Sequence, residues 1–360
     1  MERFGFVGLP NAGKSSLFNA LAGGGALAAP YAFATTDPNV GVVKVPDSRL
    51  DALARMSESK KIVYSTTEFV DIGGLVEGAS QGEGLGNKFL GGIREVDAIV
   101  FVLRAFTDGD VPGPTDPIDH LRILEIELTL ADLEAVESRI NRRQKVLKAD
   151  PRNSELIIEV EALGVALELL SEGTPLFRSG MDVELREGLR EHFLLTNKPV
   201  MAVLNLGEDQ LEKADEISEK VLLALPDSQV LALSVQLEAE AALLPEDERG
   251  ELLEGLGLGE GALPRFVRAA HGLLGLRTFL TTGEKESRAW TFKNGWRAPQ
   301  CAGRIHTDFE RGFIRAEVIE HEVLLELGSW SAGREAGRMR LEGKDYVMAD
   351  GDVVEFRFNV

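Results

Sequence analysis

Residues 8–15 read G-L-P-N-A-G-K-S, and this stretch decides the fold of the 360-residue chain. It fits the pattern G-x4-G-K-[ST], in which main-chain amides and a lysine surround phosphate groups. The context also fits, because an apolar run at 4–7 predicts a strand before it and the spacing predicts a helix over about 14–21 after it. Strand, glycine-rich turn and helix together predict a phosphate-binding loop in an α/β domain.

Each residue type in this loop has a role to play at a triphosphate. The amides of Ala12 and Gly13 and those of the helix N-terminus are expected to point at phosphate oxygens. Lys14 is predicted to neutralise the β- and γ-phosphates, and the Ser15 hydroxyl to ligate Mg²⁺. Ser16 is placed to donate toward the α-phosphate.

A carboxylate motif, D-I-G-G at 71–74, follows an apolar run at 67–72 that predicts a strand. Asp71 is predicted to hold Mg²⁺ through water, and the Gly74 amide to sense the γ-phosphate. In switch proteins a threonine from the preceding loop ligates Mg²⁺ only when the γ-phosphate is present. Thr35 is the candidate here, and the alternative interpretation is a simple turn threonine.

Strand and helix patterns alternate on both sides of a long helical segment, which predicts a parallel, doubly wound sheet. Strands are predicted at 4–7, 40–45, 67–72, 98–103, 199–204 and 230–233, with a further helix near 49–57. Between them, leucine and alanine recur at helical spacing over 117–192, with a break at 148–151. This pattern predicts an antiparallel, coiled-coil-like helical hairpin inserted into the α/β domain.

The chain changes character from about residue 278, where short apolar runs are separated by glycines. These runs predict a small α+β domain with strands at 289–293, 314–318, 346–347 and 353–358. The glycine-rich stretch 250–261 is predicted to be a loop between helices. The expected domains are 1–118 with 199–277 for nucleotide binding, 119–198 for the helical insertion, and 278–360 at the C-terminus.

Composition limits the possible partners. A net charge of −20 opposes general binding to nucleic acid or anionic membranes, so an RNA partner needs a local basic cluster. The two candidate clusters, each alternatively a solvated surface, are Arg139, Arg142, Arg143, Lys145 and Lys148, and Arg334, Arg338, Arg340 and Lys344. The apolar runs are too short to span a bilayer. The single cysteine, Cys301, is expected to be a buried thiol and fits a reducing, cytoplasmic location.

The N-L-G-E segment at 205–208 stands where guanine-binding proteins carry N-K-x-D. The aspartate of that motif accepts hydrogen bonds from guanine N1–H and N2, whereas N1 of adenine is itself an acceptor. Glu208 is one methylene longer and Leu206 replaces the lysine, which removes on the order of 1–3 kcal/mol of preference for guanine. Asn205 and the Leu206 main chain can still meet adenine, so ATP is preferred, with relaxed or dual specificity as the alternative. Ser234 loosely matches the last base-contacting loop of such folds.

These motifs resemble the YchF family, the Obg-like ATPases among P-loop proteins of the translation-factor class, over nearly the whole chain. They are residues 8–16, D-P-N-V-G-V-V at 37–43, D-I-G-G at 71–74, G-E-G-L-G-N at 82–87, R-A-F at 104–106, N-L-G-E at 205–208, R-A-W-T at 288–291 and A-G-R-I-H-T-D-F at 302–309. The last two are similar to the family's C-terminal TGS domain, a small β-grasp module. The resemblance implies a Mg²⁺-dependent nucleotide hydrolase that associates with ribosomes and prefers ATP to GTP. It also implies that Phe106 lies against adenine; the alternative is an ordinary core aromatic.

The sequence leaves open how hydrolysis is completed. Ras-like switches orient water with a glutamine at the position that is Leu75 here. The family commonly offers a histidine after the R-A-F motif, and 107–115 contains none. His120 is expected on a helix surface, and His306 as a surface or structural residue of the C-terminal domain. Asn11 either helps to hold K⁺ beside the phosphates or only shapes the loop.

We therefore expect a slow ATPase that a partner or a cation completes. Two other functions stay open at this point. One is a nucleotide-gated binding module with negligible hydrolysis. The other is a GTP-dependent translation factor.

Overall fold

The computed structural model describes residues 1–23, 39–73, 85–256 and 258–359. The chain divides into two compact units. The first unit is formed by Met1–Val42 with Glu68–Phe266, and the second by Val43–Thr67 with Val267–Val360.

Strands and helices are numbered in chain order. The strands are β1 (Arg3–Val7), β2 (Val40–Lys44), β3 (Ile62–Val63), β4 (Thr66–Asp71), β5 (Ala98–Arg104), β6 (Val200–Asn205), β7 (Gln229–Leu233), β8 (Leu276–Thr281), β9 (Ser287–Lys293), β10 (Phe313–Glu320), β11 (Arg340–Glu342) and β12 (Asp352–Phe358). The α-helices are α1 (Lys14–Gly23), α2 (Ser48–Met56), α3 (Leu85–Arg94), α4 (Pro117–Ala149), α5 (Ser154–Ser171), α6 (Val183–Gly188), α7 (Ala214–Ala224), α8 (Val235–Ala242), α9 (Glu246–Gly255), α10 (Ala262–Leu273), α11 (Ala298–Ile305), α12 (Thr307–Arg311), α13 (His321–Leu327) and α14 (Trp330–Glu335).

One sheet has the strand order β2-β4-β1-β5-β6-β7, and β4, β1, β5, β6 and β7 run parallel. The order reverses at β1, which has β4 on one side and β5 on the other. In open α/β sheets ligands bind beyond the carboxyl ends of the strands at such a reversal. Every residue of β5 and β6 is buried, as expected for strands covered on both faces. The α/β fold class predicted from the sequence is confirmed.

The helical insertion consists mainly of α4 and α5, which pack on each other through a cluster that includes Val136, Ile140, Ala162, Leu163 and Leu170. Capping sets both starts: Asp116 accepts from the Ile118 amide at 2.8 Å, and Asn153 from the Leu156 amide at 3.1 Å. The predicted helical hairpin and its break are confirmed.

Asp132 of α4 anchors the chain where it returns toward the first sheet. Its carboxylate accepts hydrogen bonds from the Leu195 amide at 2.9 Å and the Thr196 amide at 2.7 Å, with the Thr196 hydroxyl also at 2.7 Å. Burial nevertheless raises the pKa of Asp132, and the three donors oppose that shift.

The second unit contains a mixed sheet with the order β11-β10-β12-β8-β9-β3. The pairs β12–β8 and β3–β9 are parallel, whereas β10–β11, β10–β12 and β8–β9 are antiparallel. A core cluster that includes Phe279, Phe292, Ala302, Val318 and Phe356 joins this sheet to α11. The predicted α+β character of the C-terminal region is therefore confirmed.

Two details of the sequence prediction are wrong. Residues 346–347 form no strand; Val347 makes only an isolated bridge with Arg297. Half of the predicted loop 250–261 belongs to α9, because the Glu and Leu residues between its glycines favour a helix that starts after Pro245. The two-residue strand β3 was not predicted, since so short a run carries no periodicity.

Glu125 of α4 gives the first unit a specific pH dependence. It is 6% exposed, its Oε1 has no partner among the described residues, and its Oε2 lies 3.2 Å from Arg178 Nη1. Burial raises the pKa of Glu125 to about 7, and Arg178 opposes the shift. Because the folded state holds this proton more tightly than the unfolded chain, the stabilisation is complete below pH ~4.3 and is lost as pH rises through 7.

Glu125→Gln should therefore become more stable relative to the wild type as pH rises from about 4.5 to 7.5, by roughly 1–3 kcal/mol. Urea unfolding of both proteins at the two pH values measures this difference. Glu134→Gln, an exposed change on the same helix, serves as the control. Parallel pH profiles for the wild type and Glu125→Gln would contradict the assignment.

Candidate nucleotide-binding site

The phosphate loop joins β1 to α1, and its geometry requires glycine at two positions. A Cβ on Gly8 would lie 2.5 Å from the Val102 carbonyl oxygen. Gly13 has a φ of +99°, and a Cβ there would lie 2.3 Å from Asn205 Nδ2. Asn11 also has a positive φ, 62°, which asparagine tolerates better than most residues. The loop shape thus depends on residue types that the motif supplies.

Lys14 starts α1 and is only 6% exposed. Its Nζ donates to the Leu9 carbonyl oxygen at 2.9 Å, so the side chain folds back over the loop. Burial lowers the pKa of Lys14, and the negative charge of Asp71 opposes that shift. A poorly solvated ammonium beside the phosphate loop is a strong partner for a phosphate oxygen.

Ser15 and Asp71, the two described residues predicted to bind metal, lie together. The Ser15 hydroxyl donates to Asp71 Oδ2 at 2.5 Å, and Asp71 Oδ1 accepts from the Gly73 amide at 3.3 Å. Asp71 ends β4, whose pairing with β1 sets it opposite Phe6. A hydroxyl and a carboxylate are the hard oxygen ligands that Mg²⁺ prefers beside substrate phosphates. Thr35, Gly74 and Leu75 lie outside the described residues.

Asn205, at the end of β6, connects the phosphate loop to α8. It is 5% exposed; Nδ2 donates to the Ala12 carbonyl oxygen at 3.0 Å, and Oδ1 accepts from the Val235 amide at 3.1 Å. Ser234 caps α8 through its hydroxyl, which accepts from the Leu237 amide at 3.4 Å. A carboxamide has two N–H groups and two lone pairs, so Asn205 retains one of each for a ligand. Ser16, also in the predicted phosphate site, is exposed on α1.

The Leu206 side chain is buried in the core, and its amide donates to the Leu233 carbonyl oxygen at 2.9 Å. A main-chain contact of Leu206 with a base therefore has to use its carbonyl oxygen, which can accept from an amino group such as N6 of adenine. Glu208 is exposed at the start of a 3-10 helix, Glu208–Lys213. Gln210, which was not predicted, accepts from the Gly207 amide and donates to the Ala105 carbonyl oxygen, both at 2.9 Å.

Phe106 follows β5 and is half-buried. The amides of Ala105 and Phe106 donate to the Asn205 carbonyl oxygen at 2.9 and 3.1 Å, which sets the Phe106 segment beside the 205–208 segment. The structure thus brings together Asn11, Ala12, Gly13, Lys14, Ser15, Asp71, Phe106, Asn205, Leu206 and Ser234 along one side of the first sheet. The hydrogen bond from the Val235 amide to Asn205 was not predicted, because a main-chain amide leaves no signal in a sequence.

The expectation that His120 lies on a helix surface is wrong. His120 is 1% exposed near the start of α4, its Nε2 lies 2.7 Å from the Pro114 carbonyl oxygen, and burial lowers its pKa. His306 is exposed, and its Nδ1 accepts from the Asp308 amide at 3.2 Å, as a structural cap does. Cys301 is fully buried, and burial raises the pKa of its thiol to about 12, which confirms the expected inert thiol.

The two basic clusters differ in how far they are neutralised. In the C-terminal cluster, Arg334 pairs with Glu317 at 2.8 Å and Arg340 with Asp352 at 3.2 Å. In the helical cluster, Arg143 pairs with Glu159 at 2.5 Å. No acidic partner occurs among the described residues for Arg142, Lys145 and Lys148 near the end of α4. Arg338 and Lys344 of the C-terminal cluster also have none within the described ranges, so the helical cluster keeps the larger uncompensated positive charge by a small margin.

A phosphate loop between β1 and α1, an aspartate at the end of a neighbouring strand and an asparagine tied to the loop define a P-loop nucleotide-binding protein of the GTPase type. A family profile described as "50S ribosome-binding GTPase" matches residues 3–150. A second profile, YchF-GTPase_C, described as a protein of unknown function, matches 276–359.

Relatives match along the whole chain. "Ribosome-binding ATPase YchF" of Bacillus subtilis is 47% identical, with 99% of each chain covered. The protein of the same name from Escherichia coli O157:H7 is 44% identical over 99% of each chain. The structure of the Schizosaccharomyces pombe YchF GTPase is 33% identical, with a TM-score of 0.88 over 99% of this chain and 97% of that one. The chain belongs to the YchF family. None of the helices in the described ranges has the length and apolarity to cross a membrane.

Proposed function

We propose that the chain is a Mg²⁺-dependent ATPase that prefers ATP to GTP and acts as a conformational switch on the ribosome. One observation carries this proposal: Lys14 and the Ser15–Asp71 pair lie together at the phosphate loop. Asn205 joins that loop to the 205–208 segment by its hydrogen bond to the Ala12 carbonyl oxygen. The names of the relatives, which are ribosome-binding ATPases, support the same activity and a cytoplasmic location.

Binding of a triphosphate would rearrange two hydrogen bonds. Lys14 would exchange the Leu9 carbonyl oxygen for β- and γ-phosphate oxygens, which gives its buried ammonium a charged partner. Ser15 and Asp71 would hold Mg²⁺, whose charge offsets the charge of the phosphate oxygens. The amides of Gly13 and the α1 N-terminus would supply further donors, and the Ala12 amide would join them by giving up its 3.3 Å hydrogen bond to the Leu9 carbonyl oxygen. Thr35 and Gly74 are proposed to sense the γ-phosphate.

The base preference is proposed to arise on the 205–208 segment. The Leu206 amide is committed to Leu233, which leaves a carbonyl acceptor suited to the amino group of adenine. Asn205 retains one donor and one acceptor, and Phe106 is proposed to lie against the base. Glu208 is exposed and has one methylene more than the aspartate that reads guanine.

Shortening that side chain tests the base preference. Glu208→Asp should raise the affinity for GTP relative to ATP by roughly 5- to 100-fold, because an aspartate can accept both guanine hydrogen bonds. Isothermal titration with both nucleotides gives the ratio. Asp209→Glu, a reciprocal change at the next exposed position, is the matched control. Wild-type protein that bound GTP tenfold more tightly than ATP would favour the translation-factor alternative instead.

Hydrolysis is proposed to be slow until a partner or a cation completes the site. No histidine follows the R-A-F motif before Pro114, and His120 is buried against the Pro114 carbonyl oxygen. Asn11 Nδ2 donates to the Pro112 carbonyl oxygen at 3.5 Å, which is a weak hydrogen bond. The carboxamide is therefore able to turn its oxygen toward K⁺. Single-turnover phosphate release, with and without ribosomes and K⁺, is the test. Release that stays negligible with all additions would support a nucleotide-gated binding module.

The ribosome contact is proposed to involve the helical insertion (119–198) and the C-terminal region (278–360), which we propose to be a TGS-like domain. Arg142, Lys145 and Lys148 are the candidate RNA contacts on α4. These three residues carry positive charge in a chain of net charge −20. Because they would contact RNA phosphates, the affinity for RNA should fall steeply as the salt concentration rises.

A further inference from the structure

We infer that Arg104 is a positioning residue that fixes the loop carrying Phe106 and, through it, the adenine side of the site. This inference rests on the proposed ATP binding. It assigns a role to the buried guanidinium of Arg104, which contacts neither the phosphates nor the base in the proposed function.

The side chain of Arg104 is buried, and it binds a single loop. It is 1% exposed. Nε donates to the carbonyl oxygen of Phe106, Nη2 to that of Val111 and Nη1 to that of Pro112, each at 3.1 Å. No carboxylate pairs with it within the part of the chain that the structure describes. A buried charge without a counter-ion is costly, and here the three carbonyl oxygens of one loop are the groups that offset this cost.

The task fits the shape of a guanidinium. Arginine presents its donors in a rigid plane, whereas lysine presents a compact point charge on a flexible stem. A planar group of this kind can fix three carbonyl oxygens of residues 106–112 relative to one another, in addition to the local hydrogen bonds of Asp110 and Val111 with Asp108. The same guanidinium lies over the Phe106 ring, with its carbon 4.4 Å from the ring centroid. One face of the ring is thereby covered by the guanidinium, so a base stacked on Phe106 would have to use the opposite face.

The fixed loop contacts both halves of the site. At one end, Ala105 and Phe106 are bonded to the Asn205 carbonyl oxygen, and Gln210 donates to Ala105 at 2.9 Å. At the other end, the Pro112 carbonyl oxygen accepts from Asn11 of the phosphate loop at 3.5 Å. Arg104 makes no hydrogen bond with Lys14, Ser15 or Asp71 among the contacts of the described residues. The link to the phosphate loop is the long Asn11–Pro112 hydrogen bond, whereas the links to the Asn205 segment measure 2.9–3.1 Å, so loosening the loop should affect the base side much more than the phosphate side.

The test is the binding of two ligands to Arg104→Lys. We expect ATP binding to weaken about tenfold, the scale of one coupling between neighbouring groups, while Mg²⁺–tripolyphosphate binds as it does to the wild type. KM for ATP should rise with little change in kcat. Arg122→Lys, at an exposed arginine of α4, is the control.

A double-mutant cycle with Phe106→Leu separates positioning from general support of the fold. Phe106→Leu alone should weaken ATP binding without affecting tripolyphosphate, and adding Arg104→Lys should then have little further effect. Equal losses for ATP and tripolyphosphate, additive effects, or unchanged ATP binding in Arg104→Lys would overturn the inference. Wild-type protein that failed to bind ATP would instead contradict the proposed function itself. If the Arg104 variant unfolds, Phe106→Leu still decides, because wild-type ATP affinity in that variant would leave no base contact for Arg104 to position and would overturn the inference.

Discussion

Lys14→Ala is expected to lower ATP turnover by at least about a hundredfold, the scale of losing one preorganised charge partner at a transition state. The fold should survive, because the variant loses one hydrogen bond, from the Lys14 ammonium to the Leu9 carbonyl oxygen. It also removes a buried charge, whose poor solvation lowers the pKa of Lys14. Single-turnover phosphate release measures the loss, and thermal unfolding confirms that the protein is folded.

Lys285→Ala, at an exposed lysine, should retain full turnover under the same conditions. A folded Lys14→Ala protein that hydrolysed ATP at the wild-type rate would overturn the assignment of the phosphate loop. Loss of turnover together with loss of cooperative unfolding would show that Lys14 supports the fold, contrary to the expected result.

Asn205→Ala is expected to damage both stability and binding. It leaves the Ala12 carbonyl oxygen and the Val235 amide without their partner at a site that is 5% exposed. Each of the two unsatisfied buried groups costs about 1–3 kcal/mol, so the free energy of unfolding should fall by roughly 2–6 kcal/mol. ATP affinity should fall by at least about tenfold, since the Asn205 side chain no longer joins the phosphate loop to the 205–208 segment and to α8.

Urea unfolding and isothermal titration measure the two effects of Asn205→Ala. Asn205→Asp separates the contributions of the two hydrogen bonds. A carboxylate can still accept from the Val235 amide, but it is repelled by the Ala12 carbonyl oxygen. Asn294→Ala, an exposed change, should alter neither quantity. Wild-type stability in Asn205→Ala would show that the bridge does not hold the loop.

The sequence predicts the phosphate side of this site well because its chemistry is local. Gly8, Gly13, Lys14 and Ser15 lie within one octapeptide, and their spacing alone specifies a loop that main-chain amides can form. Asp71 could be added because a strand end places it at the same sheet edge. These predictions depend on short-range geometry and on strand order.

The base side could be predicted only in part because its contacts join distant segments. Asn205 was found from its motif, yet its bonds to Ala12 and Val235 span 193 and 30 residues. The burial of His120 was missed, since helical spacing places the residue on α4 but does not say what covers it. The network of Arg104 was missed for the same reason: its partners are carbonyl oxygens, which every residue carries.

The most direct test of the central claim is a crystal structure of the protein soaked with a non-hydrolysable ATP analogue and Mg²⁺. We predict that Lys14 Nζ leaves the Leu9 carbonyl oxygen for the phosphates, that Ser15 and Asp71 face the metal, and that adenine lies beside Phe106 and Leu206. Analogue bound anywhere else, with the Lys14–Leu9 and Ser15–Asp71 hydrogen bonds intact, would contradict the account.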